Sequence, residues 1–361
     1  MELFWKDFVW FSRSYNITNE IKLLLEQQNP CNTIVFIDSN VKNAYPELNL
    51  LSSKEVVLFN VCCGECVKNL STIERLIKKS QNLVNKNTLI VAIGGGTLLD
   101  IVGFYSGVLF RGLQYISIPT TSISMADSAF GGKTAVNLFS KNQIGLYHFP
   151  KSIYINPIFL NTLPKKYYIS GLMETIKLSF FIDEIASLWE KNKKNILDCS
   201  TNDAIDLIMK SARVKLELFE KDPFEEYQAA IFLYGHTFAN VFETYSWEKL
   251  NKYLPHGFAV GLGILFCAWL TEKELKIEKF YHSHLHKIQY LINIRSLISN
   301  FCPEKGADFG NILRRDKYTV GNKVSIPAFE IEAGFYIMDI KAIIKSYKEW
   351  RKHELLYQIQ L

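Results

Sequence analysis

The spacing of apolar residues divides the chain into two parts with different periodicities. In the first 150 residues, short runs rich in Val, Ile, Leu and Phe alternate with polar-apolar segments long enough to form helices. Short apolar runs of this kind are typical of strands that are buried on both faces of a parallel sheet. The pattern predicts strands at residues 33–38, 56–60, 88–93 and 115–119.

From about residue 165 onward, the apolar residues recur with the period of a helix. This part predicts helices at residues 171–182, 201–220, 236–245, 257–276, 282–297 and 340–357. We therefore expect an α/β protein with a Rossmann-like, doubly wound domain over residues 1–160 and a mainly helical domain over residues 161–361. The boundary is a change of composition and not a flexible linker.

Composition narrows the class of protein. The chain has 361 residues, of which 48% are hydrophobic and 21% charged, as in globular proteins. No apolar run has the length of a transmembrane helix, and the net charge of +5 comes without clustered basic residues, so we expect neither a membrane nor a nucleic-acid partner. Seven cysteines and the lack of a signal-peptide pattern predict free thiols and a cytoplasmic location.

A glycine triplet at residues 94–96 follows a predicted strand and precedes a predicted helix. Glycines there let the backbone approach a pyrophosphate, and the helix N-terminus offers free N–H groups. Asp100 lies one turn further on, and Asp38 and Asn40 follow an early strand, where an acid commonly binds an adenosine ribose. A purely steric need for glycine, and a helix-capping role for Asp38 and Asn40, are the alternatives.

A segment of small and polar residues runs from position 118 to position 142. It contains Asp127, Lys133, Lys141 and Asn142 and a pair of adjacent glycines. Lysine supplies a point charge and asparagine supplies directed N–H donors, which suits a phosphorylated ligand. A polar surface loop is the alternative interpretation.

An acid and two histidines in the second half are candidate ligands of one divalent metal ion. Zinc accepts a ligand set such as Glu174, His236 and His256 and keeps a position open for substrate. Asn240 and Glu243 share a predicted helix face with His236, and Glu243 is suited to orient a ligand histidine. The three histidines at positions 282, 284 and 286 are expected to be exposed to solvent.

In combination and in order, these motifs resemble the signature of 3-dehydroquinate synthase and related sugar-phosphate cyclases, which include 2-deoxy-scyllo-inosose and valiolone-type synthases. The resemblance covers roughly residues 30–320, and it also includes Lys215 seven residues before Asp222. It implies NAD and a divalent metal, zinc or cobalt, as cofactors. It further implies a sugar phosphate as substrate and a homodimer.

The resemblance also assigns roles to single residues. The metal ligands would be Glu174, His236 and His256. The residues that surround NAD would be Asp38, Asn40, Glu65, Lys68, Gly95, Gly96, Asp100, Thr120, Thr121, Asp127, Lys133, Lys141 and Thr162. The catalytic and substrate-binding residues would be Asp127, Lys133, Asn142, Lys177, Lys215 and Asn240, with Arg111 reaching a phosphate across a dimer interface.

The implied reaction begins with transient oxidation of a secondary alcohol, which the metal polarises and NAD oxidises. The new ketone acidifies the neighbouring C–H, so that phosphate leaves by elimination, and lysines such as Lys133 would stabilise the leaving anion. Re-reduction and an intramolecular aldol step then close a carbocycle. NAD is regenerated, so the cycle leaves no net NADH.

The sequence departs from the family at positions that bind substrate. The family's arginine and asparagine before the first metal histidine are Ala229 and Leu233, its second histidine is Asn240, and its Lys-Lys pair is Lys317-Tyr318. Loss of a charged contact to a carboxylate removes on the order of 2–5 kcal/mol of discrimination. We therefore expect a substrate without the carboxylate of the seven-carbon keto-acid phosphate. A divergent dehydroquinate synthase and a 2-deoxy-scyllo-inosose or other cyclitol synthase are the alternatives.

Two other classes of protein compete with a cyclase. Metal-dependent polyol dehydrogenases of the glycerol type share the implied fold, but they release NADH and usually carry Asp where this chain has Glu174. A binding or regulatory protein derived from a cyclase would explain the apolar Leu233. Retention of Lys133, Lys177, Lys215 and the three candidate metal ligands argues against that interpretation.

Overall fold

The computed structural model describes residues 1–6, 8–138, 141–222, 228–327 and 335–357. The chain forms two compact units. The first comprises Met1–Pro164 and Asn195–Leu216, and the second comprises Lys165–Lys194 and Glu217–Leu361. Within the described ranges, no helix is both long enough and apolar enough to cross a membrane.

The first unit is built on a seven-stranded sheet. Its strands and those of a separate hairpin are β1 (Glu2–Trp5), β2 (Val9–Phe11), β3 (Thr33–Asp38), β4 (Val56–Val61), β5 (Leu89–Gly94), β6 (Tyr115–Pro119), β7 (Lys133–Val136), β8 (Ile144–Tyr147) and β9 (Ser152–Ile155). The order across the sheet is β1-β2-β9-β6-β5-β3-β4, parallel except for β1. Strands β3, β5 and β6 are buried throughout, so both faces of the central sheet are covered.

The helices of this unit are α1 (Ile17–Gln28), α2 (Ser39–Ala44), α3 (Leu70–Ser80) and α4 (Gly96–Val108). Each follows a strand, and the asparagine before α1 or α3 caps that helix through its side chain. All four predicted strands are confirmed, and β3 and β6 have the predicted bounds. The parallel sheet brings the residues after its strands, including the glycine triplet, to one edge.

The second unit is mainly helical, and residues 202–216 of the helix at Asn202–Lys221 belong to the first unit. Besides its helices, the described part of this unit contains three antiparallel strands and a 3₁₀ turn at Gln228–Leu233. The bounds are α5 (Lys165–Leu178), α6 (Asp183–Ile196), α7 (Asn202–Lys221), α8 (His236–Leu250), α9 (His256–Leu275), α10 (Phe280–Gln289), α11 (Ile294–Phe301), α12 (Gly306–Leu313), β10 (Thr319–Val320), β11 (Lys323–Pro327), β12 (Phe335–Asp339) and α13 (Ile340–Tyr357). The core holds stacked rings, among them Phe309 on Tyr347 at 3.9 Å.

One helix prediction and one exposure prediction are wrong. The single helix expected at residues 282–297 is two helices, because the side chain of Asn293 accepts a hydrogen bond from the Ser296 amide at 2.9 Å and starts α11 afresh. His284, expected to be exposed, is buried at 3% exposure. The apolar period continues across the break, so the sequence pattern alone does not reveal it.

Candidate active site

Three side chains of the second unit converge on one point. Glu174 lies on α5, while His236 and His256 are the first residues of α8 and α9. One ligand atom from each of these three residues lies within 4.8 Å of the other two. Within the described part of the chain, this is the group of acids, histidines or cysteines with the spacing of a metal site.

The distances inside this cluster fit a divalent metal ion. Ligand atoms about 2.0–2.1 Å from a tetrahedral zinc lie about 3.3 Å from one another. Oε1 of Glu174 lies 3.3 Å from Nε2 of His256 and 3.6 Å from Nε2 of His236. Among the described residues that same Oε1 atom is buried and accepts no hydrogen bond, so its lone pairs face the point of convergence. The three side chains therefore fit the group that the sequence implies.

The second ring nitrogen of each histidine lies beside an oxygen atom. Nδ1 of His256 is 3.2 Å from Oε1 of Glu243, and Nδ1 of His236 is 3.4 Å from the carbonyl oxygen of Tyr234. An N–H that donates from Nδ1 leaves the Nε2 lone pair directed at the cluster, which is the arrangement of metal-binding histidines. The predicted partnership between Glu243 and a ligand histidine is present, and it involves His256.

Lys177 holds the second carboxylate oxygen of Glu174. Its Nζ donates to Oε2 of Glu174 at 2.5 Å and to the carbonyl oxygen of Phe232 at 2.6 Å, and its side chain is 1% exposed. Burial opposes ionisation of Glu174, but Lys177 and the two histidines hold the pKa of that carboxyl well below its usual range. Glu174 is thus an anionic ligand at neutral pH.

Close packing of α9 against α5 brings His256 to Glu174. The amide of Gly257 donates to Oγ of Ser170 at 2.9 Å, and a Cβ atom at Gly257 would lie 1.7 Å from the carbonyl oxygen of Ser170. No side chain larger than hydrogen fits between the two backbones at that point. Glycine after the histidine is therefore required by the approach of the helices that carry two of the ligands.

Asn240 bonds to an acid that the sequence did not single out. Its Nδ2 donates to Oδ2 of Asp316 at 3.0 Å, one turn after His236 on α8. Burial raises the pKa of Asp316, against the opposing hydrogen bonds from Tyr318 and Asn240. Asp316 is distant in sequence and stands in a charged run, Arg-Arg-Asp-Lys, so no local pattern distinguishes it.

In the first unit, a buried lysine joins several predicted cofactor residues. Nζ of Lys68 pairs with Oδ2 of Asp100 at 2.5 Å and donates to Oδ1 of Asn142. Asn137 extends the group, because its Nδ2 donates to Oε1 of Glu65 at 2.8 Å and its Oδ1 accepts from the Asn142 amide at 2.8 Å. The structure thus brings Glu65, Lys68, Asp100 and Asn142 together.

The glycine triplet begins α4 and packs tightly. Gly95 is the N-cap, so no side chain caps the first turn. A Cβ atom on Gly95 would lie 2.9 Å from Cγ2 of Thr121, and one on Gly96 would lie 2.9 Å from Oγ of Ser128. The steric explanation for these glycines therefore holds. The uncapped first turn is also suited to bind an anion.

The remaining predicted residues of the first unit lie in several places. Asp38 caps α2, since its Oδ1 accepts from the Asn40 amide at 2.8 Å, as the capping interpretation expected. Asp127 pairs with Lys215 at 3.0 Å, although 88 positions separate them in the sequence (215 minus 127). Thr120 is buried, and its amide donates to the carbonyl of Gly94 at 3.0 Å.

The structure describes four further predicted residues of the first unit. Lys133 is exposed at the start of β7, and Lys141 is half-buried. Thr162 donates to the Tyr45 hydroxyl at 3.4 Å, and Arg111 is exposed with a φ of 66°. The Ala229 side chain, at the position of the family's arginine, lies outside the described residues.

Comparison with known proteins identifies the family. The N-terminal model of 3-dehydroquinate synthase matches residues 58–170, and the C-terminal model matches residues 171–318. The 3-dehydroquinate synthase of Buchnera aphidicola subsp. Cinara cedri is 33% identical over 278 residues, which are 74% of this chain and 72% of that protein.

Solved structures of cyclases share the fold. A 2-deoxy-scyllo-inosose synthase complexed with carbaglucose-6-phosphate, NAD+ and Co2+ has a TM-score of 0.77 at 21% identity, covering 94% of this chain and 96% of that one. The 2-epi-5-epi-valiolone synthase of Streptomyces hygroscopicus subsp. jinggangensis, with NAD+ and Zn2+ bound, has a TM-score of 0.73 at 21% identity, covering 95% and 96%. The sequence matches and the shared fold agree: the chain belongs to the 3-dehydroquinate synthase family.

Proposed function

We propose that this protein is an NAD- and divalent-metal-dependent sugar-phosphate cyclase, a carbon–oxygen lyase that eliminates phosphate and closes a carbocycle. The observation that carries the proposal is the convergence of Glu174, His236 and His256, with an oxygen atom beside the second nitrogen of each histidine. Two further observations support it. The chain belongs to the 3-dehydroquinate synthase family, and the similar solved structures contain NAD+ with Co2+ or Zn2+.

The metal would be held by Glu174, His236 and His256, and when bound it would polarise a substrate hydroxyl. The protein's own part is to keep this ligand set ionised and oriented. Lys177 keeps Glu174 anionic, and Glu243 fixes His256 with Nε2 toward the cluster. Because Lys177 is buried and paired with Glu174, we assign it to the metal centre and not to direct binding of the substrate.

NAD would be held by the first unit, and when bound it would accept a hydride from the substrate and return it. Support comes from the uncapped first turn of α4, whose peptide N–H groups suit a pyrophosphate. Asp100, one turn further along α4, forms an ion pair with the buried Lys68, and the pair is suited to hydrogen-bond the cofactor. Asp127 and Lys215 form a second pair, which we assign to substrate: the carboxylate orients the ammonium for an anionic group.

For the substrate, we propose a sugar phosphate without a carboxylate at the position that the family's arginine binds. Alanine at position 229 and leucine at position 233 provide neither charge nor a hydrogen bond there. The sequence similarity to 3-dehydroquinate synthases supports the alternative, a divergent enzyme of that specificity.

Turnover of two substrates by the same metal-loaded preparation separates these possibilities. The seven-carbon keto-acid phosphate of dehydroquinate synthesis and glucose 6-phosphate are supplied in parallel with NAD, and phosphate release is measured. Preference for the substrate without a carboxylate supports the proposal. Efficient conversion of the keto-acid phosphate contradicts it and identifies a dehydroquinate synthase. His236→Ala should lose metal and turnover together, and retention of full turnover would remove the metal centre from the account.

We also propose that the protein is a cytoplasmic homodimer. Val108 at the end of α4 and Phe110 in the turn that follows are exposed, at 43% and 54%, and Arg111 comes next. Exposed apolar side chains beside an arginine are typical of interfaces. The seven cysteines are all free thiols, as expected in a reducing compartment. Sedimentation equilibrium of the wild type and of Phe110→Glu tests the dimer: the substitution should shift the protein toward monomer.

A further inference from the structure

A tyrosine spans the distance between the metal cluster and a buried histidine. Tyr234 directly precedes Gly235, whose φ of 81° turns the chain sharply into α8. Its carbonyl oxygen lies 3.4 Å from Nδ1 of His236, while its hydroxyl lies 3.3 Å from Nε2 of His284 on α10. The tyrosine is 2% exposed and the buried histidine 3%. Both ends of Tyr234 are thus fixed in the interior.

The hydrogen bonds of His284 set its tautomer. Its Nδ1 lies 2.9 Å from the carbonyl oxygen of Phe280, one turn earlier on α10, and a carbonyl only accepts. The proton is therefore on Nδ1, and Nε2 accepts from the Tyr234 hydroxyl. Burial lowers the pKa of His284 to about 4, so that the ring is a neutral acceptor at neutral pH.

The same face of α10 also holds the end of α5, which carries Glu174. The His284 ring stacks on Phe180 at 4.0 Å with an interplanar angle of 8°. Three residues later, Nζ of Lys287 donates to the carbonyl oxygen of Ser179 at 3.1 Å. One helix therefore contacts both the segment before His236 and the segment after Glu174.

We propose that His284 is a positioning residue of the metal centre, which acts through Tyr234 to orient His236. This inference rests on the proposed function, because it assumes that the cluster binds a metal ion. Hydrogen-bond partners behind a ligand histidine typically contribute 10–100-fold to metal affinity. His284 contacts the ligand His236 only through Tyr234, so we expect the lower end of this range: about a tenfold loss of metal affinity when the His284 acceptor is removed.

The test is cobalt binding by the full-length protein, followed through the ligand-field absorption of the bound ion. His284→Phe keeps an aromatic ring on Phe180 and removes the acceptor, and Tyr234→Phe removes the same hydrogen bond from the other side. Each should weaken cobalt affinity about tenfold and change the absorption spectrum. The double variant should lose no more than either single variant, because both remove one interaction. His286→Phe on the exposed face of α10 is the matched control and should bind as the wild type.

The outcomes distinguish a failure of the proposed metal centre from a failure of the proposed role of His284. If His236→Ala binds cobalt as tightly as the wild type, the metal centre itself is wrong. If His236→Ala loses cobalt while Tyr234→Phe binds with unchanged affinity and spectrum, His284 has no positioning role. Additive losses in the double variant also overturn it. His284→Gln, whose side-chain oxygen can accept from the tyrosine hydroxyl, should restore part of the affinity. If His284→Phe does not fold, Tyr234→Phe decides the question.

Discussion

Replacement of Lys177 by methionine tests the electrostatics at the centre of the second unit. Methionine keeps much of the length of lysine but removes the cation, and it leaves the 2% exposed carboxylate of Glu174 and the Phe232 carbonyl without their donor. Removing one partner of a buried ion pair costs about 3–5 kcal/mol, because the remaining charge is uncompensated. Denaturant unfolding of the metal-free variant should therefore show a large fall in the free energy of unfolding.

A pair with the same spacing on the surface provides the control. Lys193 lies 3.3 Å from Glu190 on α6, also three residues apart, with side chains 30% and 46% exposed. Solvent screens this pair, so Lys193→Met should cost less than about 1 kcal/mol. Equal losses in Lys177→Met and Lys193→Met would mean that burial does not make the Glu174 pair strong.

The pH dependence of the Lys177→Met effect has a definite sign. The folded pKa of Glu174 lies well below its usual value, so ionised Glu174 stabilises the wild type above the unfolded carboxyl pKa. That stability is lost as pH falls through the lowered folded value. Without Lys177 the folded pKa rises, and the variant takes up a proton at higher pH. The difference in unfolding free energy between wild type and variant should be largest near neutrality and shrink in acid.

Two further substitutions test the packing around the metal cluster and the binding of NAD. Gly257→Ala places a methyl group against the Ser170 carbonyl, so both the stability and the metal affinity, measured by cobalt titration, should fall. Gly321→Ala is the control: no atom lies within 4 Å of its Cβ, so metal affinity should be unchanged. Lys68→Met removes the partner of Asp100, and NAD affinity in a fluorescence titration should fall roughly 10–100-fold, the effect of a charged hydrogen bond. Unchanged NAD affinity would exclude Lys68 from the cofactor site.

The central sheet could be predicted because its strands are read from continuous apolar runs. All residues of β3 and β6 are buried, and most of them are β-branched or aromatic. The hairpin of β7 and β8 could not be predicted in the same way. Its strands have four residues each, half of those in β8 are exposed, and glycine at position 145 weakens the strand pattern.

In the candidate site, too, some residues could be predicted from local sequence motifs, and some contacts between distant residues could not. Glu174, His236 and His256 stand in recognisable local motifs, and the structure brings them together. Some of their partners are also local, because Lys177 lies three residues after Glu174, but the contact between Tyr234 and His284 joins residues 50 positions apart. Alternation of histidine along α10 suggested a solvated face, but three-dimensional packing buries the middle one. Pairings at such separations depend on tertiary packing, which periodicity does not specify.

The ratio of phosphate released to NADH accumulated decides whether the protein is a cyclase that recycles its NAD. The purified, metal-loaded protein is supplied with NAD and each sugar phosphate in turn, and both products are followed in one reaction. A cyclase should release phosphate over many turnovers with no net NADH. Accumulation of NADH without phosphate release would contradict the proposed function and would place the protein with the metal-dependent polyol dehydrogenases.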